Sequence, residues 1–150
     1  MFSNLLNTLL GQQTRTEAPG PEPDAAHALG ALLVRVAQTD CADALRDFHR
    51  ELDRIEQLLL QLHDLDAGDA AEMRQACEAM ERAAPETEIF TEMIRQWVDF
   101  EERLNLLEAL WQQELAQELR DEARINRVQS ALGLSDADGL VARAQALEQV

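Results

Sequence analysis

The residues of this chain best suited to chemistry are its 29 carboxylates, three histidines and two cysteines. His63-Asp64 forms a His-Asp pair, with His27 and His49 upstream and Asp99 downstream. A metal-dependent phosphohydrolase needs that order of side chains to converge on an ion. Here the pair closes a helical run and reads more simply as a corner. His49 and Asp53 stand one helical turn apart and could share a ligand face, although a surface hydrogen bond is the simpler use. Cys41 and Cys77 are too few for a disulfide framework and form no CxxC element, so both read as buried or half-buried thiols. Glu114, Glu118, Asp121 and Glu122 fall largely on one face if the helix continues through them. Arginines nearby can pair with these carboxylates, and a solvated acidic face is the plain reading. No nucleophile–base pair and no phosphate-cradling loop is present, and Trp97 and Trp111 sit at core spacing. The chain reads as non-enzymatic.

The elements that position these groups follow from composition. The 150 residues suit one domain with a sizeable core. Hydrophobic residues make up 46% and aromatics 4%, so the core is built from Leu, Ala, Ile and Val. Ala, Leu, Glu, Arg and Gln dominate, and these are strong helix formers. An all-α protein is expected. All 13 basic residues are arginines, and the net charge of −16 gives a pI near 4.4. That field repels nucleic acid and anionic lipid, and it favours cations, basic protein segments or plain solubility. No run approaches the length of a membrane span, and the N-terminus lacks the basic region and cleavage site of a secretory signal. A cytoplasmic location is expected.

Three regions are expected along the chain. Residues 1–12 form a short amphipathic helix with Phe2, Leu5, Leu6, Leu9 and Leu10 on one face, ended by Gly11. A helix this short needs a surface to pack against, so Phe2, Leu6 and Leu10 are candidate partner-binding residues. Its polar face has no charge, unlike interfacial membrane helices. Residues 13–24 hold Pro19, Gly20, Pro21 and Pro23 and form a linker. The folded domain spans residues 25–150, a compact bundle of six to seven helices. Within it, Asp40 and Asp43 suggest an N-cap, Thr87 caps a helix, and Asp99 with Glu102 has capping-box spacing. Gly133 gives a left-handed stop, and Ser135 with Asp138 restarts the last helix. The expected apolar faces run through Ala28, Leu29, Leu32, Leu33 and Val36; Leu45, Phe48, Leu52, Ile55, Leu59 and Leu62; Ile89, Phe90, Met93, Ile94 and Trp97; and Phe100, Leu104, Leu107, Trp111 and Leu115. HDLDAGDAAEMRQA and LGLSDADGLVARAQA share a corner pattern, which suggests a weakly duplicated two-half bundle.

The order of these segments resembles the TerB-like tellurite-resistance domain over about residues 25–148. The resemblance is carried by ALGALLVRVAQTD, DLDAGDAAEMRQACEA, ETEIFTEMIRQWVDFEERLNLLEALW, RVQSALGLSD and the terminal Ala/Leu helix. It implies a helical binding protein of the tellurite-resistance or stress-response group, meeting a protein partner near the inner membrane face. It also implies a divalent cation, Ca²⁺ or Mg²⁺, held weakly by acidic residues of two turns, one per half. Carried onto this sequence, those residues are Asp40, Asp43, Glu118, Asp121 and Glu122. The sequence departs from the family's Asp-Gly pattern at both turns. Cys41 stands where Gly belongs in the first, and the second is shorter and has no Asp-Gly. An adaptor that has lost its metal is therefore the alternative.

Overall fold

The computed structural model describes residues 25–41, 44–117 and 122–149. Among these the chain forms seven helices: α1 (Ala25–Asp40), α2 (Leu45–His63), α3 (Ala67–Ala83), α4 (Thr87–Trp97), α5 (Phe100–Leu115), α6 (Glu122–Ala131) and α7 (Asp136–Glu148). None of them is long and apolar enough to cross a membrane.

α1 is the central element. Its sequence is apolar nearly all round, so it buries Ala28, Leu29, Ala31, Leu32, Leu33, Val34 and Ala37 against α2, α3, α4 and α6. Gly30 lets α3 come close, because a Cβ there would lie 2.4 Å from Cys77 Sγ. The second half is built on α5, which packs against α6 and α7 and meets α2. Leu58, Leu59, Phe90, Ile94, Leu106, Leu107, Leu110, Ile125 and Leu132 complete the core.

The corners α2–α3 and α6–α7 use the same device. Asp64 (φ 53°) and Gly133 (φ 73°) adopt left-handed backbone. The following amides, Leu65 and Leu134, donate back to the carbonyls of Leu60 and Gln129 at 3.0 and 3.1 Å. These are Schellman closures. One residue further on, Asp66 and Ser135 cap the next helix by accepting from the Asp69 and Asp138 amides. At Ser135 the Asp138 carboxylate accepts in return from the Ser135 amide, making a full capping box.

Several expected roles differ. Ala44, not Asp40, precedes α2, and it has no side-chain cap; Asp40 instead ends α1. Glu86 precedes α4, and the Thr87 hydroxyl accepts from Arg35 at 3.1 Å. Asp99 makes no side-chain cap. Leu45, Ile89, Trp97 and Phe100 are exposed. Leu45 and Phe100 are the first residues of their helices, and Trp97 is the last of α4. At those ends the neighbouring helices no longer cover the face. The Phe100 ring instead lies under the Arg103 guanidinium at 5.9 Å. In α5 the buried face turns toward Leu106, Leu110 and Glu114, leaving Leu104 half-buried.

Candidate functional site

The end of the bundle where α1 and α5 finish, and α2 and α6 run past them, gathers charged side chains in an apolar surround. Four of these close a ring. Glu51 and Arg54 lie one turn apart on α2 and pair at 3.0 Å through Arg54 Nη1 and Glu51 Oε2. The other terminal nitrogen of Arg54 reaches Glu114 Oε1 on α5 at 3.2 Å. The same Glu114 oxygen accepts from Arg124 Nη2 on α6 at 3.3 Å. Arg124 Nη1 completes the circuit on Glu51 Oε1 at 3.1 Å. Each guanidinium thus spans two carboxylates, and the ring is formally neutral. Its side chains are deeply set: Glu114 is 0% exposed, Arg124 7% and Glu51 12%. Isolated charges at such depth would be very unfavourable. Alternating signs and the forked geometry of arginine make the burial tolerable. Gln113 fastens the same joint by donating to the Arg54 carbonyl at 2.8 Å.

Beside the ring, Asp40 at the end of α1 is held by Arg127 of α6, with Nε and Oδ1 2.8 Å apart. Cys41 follows Asp40 and is half-buried. Burial raises its thiol pKa first, and the carboxylates of Glu51, Asp47 and Asp40 raise it further, while Arg127 opposes them. The thiol therefore reports that the end of α1 stands in the field of carboxylates from both α1 and α2. It is held protonated rather than activated.

Among the described residues, the carboxylates at this end of the bundle are already engaged by arginines. A hard cation needs several carboxylate or carbonyl ligands free to turn toward it. The carboxylates of Asp40, Glu51 and Glu114 are directed at guanidinium groups. Among the described residues, no three His, Cys, Asp or Glu side chains gather as metal ligands. Arginine supplies the positive charge at these positions.

The family model described as "Tellurite resistance protein TerB" matches residues 26–145. The chain belongs to the TerB family. No curated protein and no solved structure matches it.

Within this TerB domain, the residues singled out from the sequence fall in three groups. Asp40 faces α6 through Arg127. Glu122 begins α6 and lies 3.9 Å from Arg143 of α7. Asp43, Glu118 and Asp121 lie outside the described residues, as do Phe2, Leu6 and Leu10. α5 ends at Leu115, and α6 starts at Glu122, so Glu114 and Glu122 share no helix face. Glu114 is wholly buried, which replaces the solvated reading for that residue. His49 and Asp53 are exposed on α2, and Asp64 serves as the left-handed cap after His63. Cys77 is buried, as read from the sequence.

Sequence reasoning passed over Glu51, Arg54 and Arg124. One signal was available. Glu51 and Arg54 fall next to Leu52 and Ile55 on the apolar side of α2, and Arg124 adjoins Ile125. Charges on an apolar stripe usually mark a buried pair.

Proposed function

We infer that this TerB-family chain is a non-catalytic, cytoplasmic binding module of the tellurite-resistance and stress-response group. It meets a protein partner and carries its own cations where a divalent ion would otherwise serve. The observation that supports this reading is the neutral ring of Glu51, Arg54, Glu114 and Arg124, with the Asp40–Arg127 pair beside it. The ring does the structural work of a metal clip, joining α2, α5 and α6, and it needs no exchangeable ion. The apolar face of Phe2, Leu6 and Leu10 is the contact for a partner at the inner membrane face.

A second reading keeps a weak Ca²⁺ or Mg²⁺ site on Asp40, Asp43, Glu118, Asp121 and Glu122. The Asp40–Arg127 pair favours it in one respect, because it draws the end of α1 onto α6, the helix that follows the second acidic turn.

Calorimetric titration with Ca²⁺, Mg²⁺ and Mn²⁺, on the natural chain and on Asp40→Ala, separates the two. The arginine-clipped module gives no heat and no thermal shift with any ion. Heat that vanishes in Asp40→Ala establishes the cation site instead. Capture of one identified protein, lost when Leu6→Glu and Leu10→Glu are combined, supports the partner contact. Metal-dependent phosphodiester turnover abolished by His63→Ala would overturn the non-catalytic reading.

A further inference from the structure

A groove runs between α1, α2 and α5. Its first part, about 170 Å³, is lined by Ala26, Leu29, Leu59, Leu62, His63 and Leu106, among others. The second, about 240 Å³, shares Leu62 and continues along α5 past Asn105 to Ala109 and Gln112. Leu29, Leu59 and Leu106 form a buried apolar floor, and the rim is polar.

We propose that this groove seats the N-terminal segment of the same chain, residues 2–10, with Phe2, Leu6 and Leu10 turned inward. The proposal rests on the reading of that segment as an amphipathic contact helix, and it adds where the helix sits when no partner is bound.

Three observations select this occupant. The chain enters α1 at Ala25, and Ala26 lines the groove, so the linker reaches the fold at the rim of the seat. Residues 13–24, rich in proline, span up to roughly 35 Å when extended, enough to bring either end of the helix into place. The groove follows α5 from Glu102 to Gln112, about 15 Å at the helical rise, and the nine residues 2–10 would span nearly that length in the helical form expected from their sequence. Charge points the same way. The rim carries Glu102 and Glu108 in a chain of net charge −16, and residues 2–10 contain no acidic side chain to be repelled. A tethered segment also competes at a millimolar effective concentration. A partner that takes the Phe2/Leu6/Leu10 face must therefore displace it from the groove, which makes the docked state self-limiting.

The test uses the purified 150-residue chain without a partner, so it is independent of partner capture. Leu9→Cys is combined with Asn105→Cys in the groove, or with Leu140→Cys on α7, whose side chain is 67% exposed; Cys41→Ser is present in both. Under mild oxidation the Leu9/Asn105 pair is expected to close a disulfide within the monomer at least tenfold faster than the Leu9/Leu140 pair. Equal rates, or a disulfide that joins two chains, would overturn the proposal. Melting temperatures give a second measurement that needs no cross-link. Leu62→Glu and the combined Leu6→Glu/Leu10→Glu change are expected to lower Tm by amounts that do not add when all three are present. Full additivity counts against a shared contact.

Discussion

Arg124 and Glu114 stand ten positions apart in sequence, on helices α6 and α5, yet their side chains meet at 3.3 Å inside the bundle. The chain leaves α5 immediately after this glutamate and returns in α6 with the arginine that answers it. Arg54 contacts the same carboxylate oxygen from α2. One buried glutamate thus fixes the positions of three helices.

Removing Arg124 should be costly. In Arg124→Met, the ring loses one of its two guanidinium groups and keeps both carboxylates, so these four positions acquire a net negative charge. A loss of about 3 kcal/mol is expected, read from urea denaturation. The combination of Arg124→Met with Glu114→Met leaves the neutral Glu51–Arg54 pair, and it should be less harmful than the single change. A double variant as unstable as the sum of the singles would refute the closed-ring account.

Cys41 should react slowly. Its pKa is raised by burial and then by Glu51, Asp47 and Asp40, so the thiolate forms only above the ordinary thiol range. Alkylation rates, followed against pH, should therefore rise late. Arg127→Ala removes a charge that opposes them and should shift the profile further upward, whereas Glu51→Gln should shift it downward. The same raised pKa has a consequence for folding. The stabilisation it contributes is complete below the unfolded thiol's pKa and is lost as pH rises through the folded one.

Gly30→Ala places a methyl group 2.4 Å from Cys77 Sγ. The α1–α3 contact must then open, at a cost of about 2 kcal/mol by analogy with overpacked cores. Adding Cys77→Ala makes room and should restore most of the loss. Thermal unfolding of both variants checks this, and failure of the second change to rescue would place the strain elsewhere.

The two matched corners should respond alike. Asp66→Ala and Ser135→Ala each remove a side-chain cap, for a loss of about 1 kcal/mol. Gly133→Ala should cost more than either, because φ is 73° and the added Cβ would meet the Arg95 side chain at 2.8 Å. Melting temperatures of the three variants rank these effects directly.

The all-α class, the Gly133 stop, the Ser135 capping box and most of the apolar faces were legible in the sequence. So was the family, through the order and spacing of the segments. These features are local. A cap is decided within three or four residues, a left-handed stop by one glycine, and an amphipathic face by periodicity along a single helix. The fate of the charges could not be read in that way. Glu51, Arg54, Glu114 and Arg124 meet across separations of up to 73 positions only because α2, α5 and α6 are rotated and placed so that these four side chains point to one spot. The same holds for Asp40, which reads locally as the cap of the next helix and becomes the partner of Arg127 in the fold. The sequence determined which helices form and where they stop. Tertiary packing decided which carboxylates are buried, because a charge survives burial only where another helix brings its counter-charge within reach.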